Sequence, residues 1–252
     1  MATRAARGFG QYDGVARAIE RVGERWALLI VRDLLVGARR YGDLKAALPR
    51  IPTNILADRL RELQEWGVVR RVPTVRGGYE LTAFGRELAP VVLALERWGW
   101  SALGDPAEGE LVTREGVITA LRAAFRADAA TGTPPTEYVL HVAAASVAAV
   151  VVGGTLEVVA IGEGAVAQPR RAAPEPAFEA SLELALSPGE FRDLLAGRLG
   201  ARDVSILSGE SATLEHFLRT FRITPVGAPD TGTAAGPAAD VAANGDSASS
   251  VA

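Results

Sequence analysis

Thr53, Asn54, Arg59 and Arg61 fall within nine residues, and three further guanidiniums, Arg70, Arg71 and Arg76, follow within the next fifteen. Hydroxyl, carboxamide and guanidinium groups are the ones that hydrogen-bond base edges and phosphate oxygens in double-stranded DNA. Arg59 and Arg61 can reach either guanine edges or phosphates. Arg70, Arg71 and Arg76 suit phosphates, and Arg76 also suits a minor groove. Catalytic chemistry has far less to work with. The chain has no cysteine, which excludes disulfides, thiolate metal sites and thiol redox sensing. Its two histidines, His141 and His216, are distant from each other, sit among apolar residues and define no triad. Gly153-Gly154 lacks the basic anchor of a phosphate loop. These residues predict no enzyme and no cofactor.

The elements around the polar set have the periodicity needed to present it. Val15, Ala16, Ile19 and Val22 recur at helical spacing, as do Trp26, Leu29, Ile30, Leu34 and Leu35. A short helix fits residues 41–48. Pro49-Arg50-Ile51-Pro52 then forces a turn, and Thr53 can cap a helix that buries Leu56, Leu60 and Leu63 and stops near Gly67. Thr53 and Asn54 would stand at its N-terminus, with Arg59 and Arg61 on its open side. Such a pair of helices can lay the second in a major groove. Residues 68–72 and 79–82 read as strands joined by a basic turn at residues 73–78, a hairpin whose tip carries Arg76 beside two glycines. Thr82 can cap a last helix holding Phe84, Leu88, Val91, Val92, Leu95 and Trp98, which Pro90 kinks or interrupts. Its surplus apolar content either forms a two-fold interface with the first helix or packs on the rear half of the chain. All four tryptophans lie in the first hundred residues, so a substantial core is expected there.

Residues 15–98 resemble the HxlR-type branch of the MarR-like winged helix-turn-helix regulators. The resemblance rests on ordered blocks: Val22-Gly23-Glu24-Arg25-Trp26, Leu28-Leu29-Ile30-Val31-Arg32-Asp33-Leu34, Arg39-Arg40-Tyr41-Gly42-Asp43-Leu44 and Leu60-Arg61-Glu62-Leu63. Gly67-Val68-Val69-Arg70-Arg71, Tyr79-Glu80-Leu81-Thr82 and Gly85-Arg86-Glu87-Leu88 complete it. It implies a dimeric transcription factor, taken here as a repressor at a palindromic promoter site, with Arg25 and Asp33 stabilising the fold. Many members of that family carry Cys-Pro before the first helix. Asp13-Gly14 stands there in this chain, so the cysteine response is lost.

The rear half reads as an α+β unit with a largely antiparallel sheet. A helix carries Val117, Ile118, Leu121 and Phe125, and strands fit residues 136–143, 147–152, 155–161 and 181–187. A helix at 190–199, a short strand at 204–207 and a last helix with Leu214, Phe217, Leu218 and Phe221 follow. Residues 168–176 read as a surface loop. Residues 137–221 resemble the sterol carrier protein type two family through three features. They are the Gly153-Gly154 hairpin, the run Phe191-Arg192-Asp193-Leu194-Leu195-Ala196-Gly197-Arg198-Leu199 after Pro188, and the order of the closing elements. That resemblance implies an apolar cavity lined by Leu184, Phe191, Leu195, Leu214, Phe217 and Leu218, which otherwise are core residues.

Charge divides at the same place. Residues 1–103 hold 17 Lys and Arg against 11 Asp and Glu, leaving +6, and residues 104–252 hold 10 against 19, leaving -9. The expected organisation is a DNA-binding and dimerisation domain at 1–103, a linker at 104–110, a ligand-binding domain at 111–226 and a disordered tail at 227–252. The expected function is a homodimeric regulator that answers non-covalently to an apolar or aromatic small molecule. The alternatives are a rear domain that is only structural, or a lipid-binding or transport module. The polar N-terminus and the short apolar run at residues 139–154 favour the cytoplasm, at the nucleoid when DNA is bound, and argue against a membrane.

Overall fold

Asp13 starts the first helix: its carboxylate accepts the Ala16 N–H at 2.9 Å and caps α1, Gly14–Val22. In the computed structural model, which describes residues 8–72, 77–162 and 178–224, four helices precede the hairpin. The expectations for Arg76, the loop at 168–176 and the tail from 227 lie outside the described residues. The second helix, α2 (Ala27–Leu35), begins after Trp26, whose φ of 81° is rare for a bulky residue. Next come α3 (Tyr41–Ala47) and α4 (Thr53–Glu65). Pro52, not Thr53, occupies the cap of α4, and Thr53 is its first helical residue. Proline's fixed φ sets the extended entry, and its carbonyl accepts the Leu56 N–H at 3.0 Å.

Leu56, Leu60 and Leu63 are buried against Ile30, Leu34, Leu44, Val69 and Leu81, which close the first core. The hairpin pairs β1 (Val69–Val72) with β2 (Gly78–Leu81), Arg71 opposite Tyr79. Thr82 caps only a four-residue helix, α5 (Ala83–Arg86), and α6 (Ala89–Trp100) starts afresh with Pro90 in its first turn. One expected helix is therefore two, because Pro90 has no N–H to carry the ladder through.

The second unit contains α7 (Arg114–Ala124), α8 (Ala127–Ala130), β3 (Thr136–Val142), β4 (Ala145–Val152) and β5 (Thr155–Ala160). Then come β6 (Ala180–Leu186), α9 (Pro188–Leu195), β7 (Ile206–Gly209) and α10 (Ser211–Thr220). Its sheet runs β5-β4-β3-β6-β7, and every pairing is antiparallel except β3 with β6. Gly153 and Gly154, at φ 56° and 82°, make the expected two-residue hairpin between β4 and β5. Helix α9 begins and ends earlier than its periodicity suggests. Ser187 and Glu190 cap it reciprocally, and Gly197 at φ 69° turns the chain out of it. Tyr138, Phe217 and Phe221 form the centre of the core, with ring centroids 4.6–5.6 Å apart. His216 is held there by Tyr138 and Thr220, and burial lowers its pKa, while His141 spans Ser146 and Glu183 on the sheet. Among the described residues, no helix is long and apolar enough to cross a membrane.

The four tryptophans do not share a core. Trp26 and Trp66 are half-buried against the first, Trp98 is exposed, and Trp100 belongs to the second, edge-on to Phe191 at 6.1 Å. Gly85 marks a closer constraint, since a Cβ there would lie 2.1 Å from the Val68 carbonyl oxygen. Gly85→Ala should therefore cost about 1–3 kcal/mol in chemical denaturation, whereas Gly42→Ala, in open helical space, should be neutral or stabilise by up to about 1 kcal/mol.

Candidate nucleic-acid interface

The start of α4 is set by a hydrogen bond from the helix before it. Tyr41 donates its hydroxyl to the Thr53 carbonyl at 2.6 Å, tying the beginning of α3 to that of α4. Thr53 and Asn54 are exposed at that end, where unpaired N–H groups and the helix dipole favour anions. Arg61 is exposed and paired with Asp58 at 2.9 Å one turn back.

Arg59 sits differently. Its guanidinium is largely covered and bridges Glu62 at 2.6 Å and Glu24 at 3.7 Å, joining α4 to the loop ahead of α2. It braces the helix, and its charge is already answered by two carboxylates.

On the hairpin, Arg70 donates to Glu80 at 2.7 Å across the two strands. Arg71 donates to the Tyr79 hydroxyl at 3.1 Å and lies 5.4 Å over the Tyr79 ring. Arg71 and Arg40 line a cleft of about 370 Å³ with Tyr41, Gly42, Gly77 and Tyr79, between α3 and the hairpin. Neither guanidinium has a carboxylate partner among the described residues. This face therefore carries two open cations beside the exposed start of α4. Arg40 and Tyr41 were not among the expected site residues. The Arg39-Arg40 doublet before a helix was the signal, but nothing local shows which arginine faces out.

Arg39 faces in. Its backbone pairs with Tyr79, N to O at 2.9 Å and O to N at 2.7 Å, while its side chain is buried on Glu115 of α7 at 2.9 Å. Beside this pair Asp33 is fully buried, held on one oxygen by Arg32 at 2.9 Å, and its Oδ2 has no partner among the described residues. Burial pushes the Asp33 carboxyl up to about 6 despite Arg32. Arg122 reaches the Leu35 carbonyl at 3.0 Å and Arg97 the Ala123 carbonyl at 3.3 Å, stitching the two units further.

The residues expected to line an apolar cavity lie elsewhere. Leu184, Leu195, Leu214 and Phe217 are buried in the second core, and Leu218 packs against it. Of the six, Phe191 lines a cavity of about 630 Å³ at the junction of the two units.

With this geometry in place, comparison with known proteins gives a consistent result. Residues 21–106 match the family described as HxlR-like helix-turn-helix. The HTH-type transcriptional regulator YvaP of Bacillus subtilis is 40% identical over 86 residues, covering 32% of this chain and 80% of that protein. Rv3095 of Mycobacterium tuberculosis, an HTH-type transcriptional regulator, is 44% identical over 98 residues, covering 37% of this chain and 61% of its own length. Among solved structures, PA1607 is 37% identical over 42% of this chain and 74% of its own, with a TM-score of 0.37. Quinone-bound YodB of Bacillus subtilis is 30% identical over 34% and 93%, with a TM-score of 0.31. The chain belongs to the HxlR-like helix-turn-helix family of transcriptional regulators, with a mixed α+β unit following the winged helix.

The buried Asp33 carboxyl gives the junction a titration signature. With its folded pKa raised from 3.8 to about 6, the native state holds the proton more tightly than the unfolded chain. Its contribution to stability is therefore greatest below pH 4 and falls as pH rises to 6. Thermal melts from pH 4 to 7 should show the wild type losing roughly 2–3 kcal/mol relative to Asp33→Asn across that window.

Proposed function

We propose that the protein is a homodimeric, sequence-specific transcriptional repressor that binds double-stranded DNA at a palindromic promoter site. The observation that carries this reading is the exposed N-terminus of α4 beside two guanidiniums, Arg40 and Arg71, that have no carboxylate partner among the described residues, on one face of an HxlR-like winged helix. Thr53 and Asn54 are assigned to base edges in the major groove, and Arg40, Arg61, Arg70, Arg71 and Arg76 to phosphates. Arg59 acts through Glu62 and Glu24 by fixing the angle of α4.

Two copies are needed to match a two-fold site, and a surface suited to joining them is available. Val91, Leu95 and Trp98 of α6 are exposed at helical spacing, as are Val15 and Ile19 of α1. The winged helix with these helices, residues 1–103, is assigned to DNA and dimerisation, residues 104–110 to a linker and residues 111–226 to a non-covalent response to an apolar or aromatic molecule. The protein acts in the cytoplasm, at the nucleoid when bound. A second reading has one observation in its favour. The sheet and helices of the rear unit fill their own interior with Leu184, Leu195, Leu214 and Phe217, which is what a purely structural domain would do.

Fluorescence anisotropy with the DNA upstream of the protein's own gene tests the DNA reading. Affinity should fall steeply with salt, and Arg71→Ala should weaken binding to all sequences and reduce the salt slope by about 1. Asn54→Ala should cost about 1–3 kcal/mol on the preferred site and little on scrambled DNA. Salt-independent binding, or equal affinity for scrambled DNA, would contradict the proposal. Trp98→Glu should give a monomer in sedimentation and lose tight binding to a two-half-site DNA.

A further inference from the structure

We propose that the cavity at the junction of the winged helix and the sheet unit is the effector site, built for an uncharged, rigid ring compound. Its volume of about 630 Å³ lies within the range of small-molecule sites. Trp26 at the cap of α2, Leu29 of α2, Trp100 of α6 and Phe191 of α9 supply flat and branched apolar walls.

Trp100 is 5% exposed and packs edge-on to Phe191 at 6.1 Å, which fixes two rings of the wall. Trp26, which also lines the cavity, is held at a positive φ, the kind of strained backbone that concentrates at ligand clamps.

The charged lining argues against an ionic ligand. Arg192 is held by Asp105 and Asp193, Arg32 by Asp33, and Arg50 by the Gly109 carbonyl at 3.2 Å. The Glu110 carboxylate accepts the Ala107 N–H. Three guanidiniums and three carboxyl groups thus leave the cavity without an excess of either sign.

The position of the site supplies its coupling to DNA. Leu48, Pro49 and Arg50, the turn that joins α3 to α4, form part of the lining, and Val117 of α7 and Phe191 line the side of the sheet unit. A ligand seated there touches the turn before the reading helix and the effector unit together. It changes DNA affinity by binding one relative placement of the two better than another. This inference rests on the reading that α4 contacts DNA.

The test uses Nile red, an uncharged polycyclic dye, with the full chain. One dye per chain should bind saturably, with energy transfer from tryptophan. Leu103 is half exposed at the cavity rim, so Leu103→Glu should keep the fold, checked by its thermal melt, and weaken the dye about tenfold or more. Saturating dye should change affinity for the upstream DNA at least about threefold in wild type and not in the Leu103 variant. No saturable binding, or binding indifferent to Leu103→Glu, overturns the proposal. So does binding that Trp98→Glu abolishes and Leu103→Glu spares, which places the dye on the exposed α6 face. Dye that binds at the cavity without moving DNA affinity overturns its regulatory role. If the dye behaves as expected but the dye-free chain shows no salt-dependent DNA binding, the reading of α4 fails and the cavity site stands.

Discussion

The guanidinium of Arg39 lies buried on the Glu115 carboxylate while the backbone of the same residue exchanges two hydrogen bonds with Tyr79. One residue thus joins the hairpin, the start of α3 and the first helix of the sheet unit. Removing either charged partner leaves the other buried alone, a loss of about 3–5 kcal/mol, whereas an apolar pair of the same volume can be neutral. The pair therefore contributes more to how the two units are placed than to net stability. Arg97 and Arg122 extend the same logic, their charges answered across the junction by backbone carbonyls, while Arg32 holds the buried Asp33 within α2. Helix α4 is oriented through this network as well as through the Leu56, Leu60 and Leu63 face beneath it.

What was legible in the sequence is what depends on near neighbours. The i, i+4, i+7 spacing of Leu56, Leu60 and Leu63 gave α4, and the alternation of Leu182, Leu184 and Leu186 gave β6, each with its buried face. Gly153 and Gly154 marked their hairpin because both take positive φ. Ordered blocks from residue 22 to residue 88 carried the family, and the structure places them in the expected helices and hairpin.

What was not legible depends on contacts far apart along the chain. Arg39 and Arg40 are adjacent and chemically identical, yet one is buried on a residue 76 positions away and the other is open to solvent. Arg59 has the spacing of a DNA contact, but only the fold brings Glu24 to it. Trp100 follows the first unit in sequence and packs in the second, because α6 lies along α7. The residues assigned to an apolar cavity were correctly read as apolar and inward. Periodicity cannot tell whether inward means a filled core or a lined space, and here Leu184, Leu195, Leu214 and Phe217 fill a core while Phe191 reaches a space.

A basic winged helix and an acidic sheet unit thus meet at a junction where charge is neutralised pair by pair. In the proposed reading, DNA held by α4 and the hairpin acts on an assembly that continues through Arg39 into α7. Hydrogen–deuterium exchange of the full chain, with and without the DNA upstream of its own gene, tests this most directly. The account predicts that DNA alters protection in α4 and the β1–β2 hairpin and also in residues 109–120, which carry Glu115, the partner of Arg39. Changes confined to α4 and the hairpin, with residues 109–120 unmoved, would contradict it.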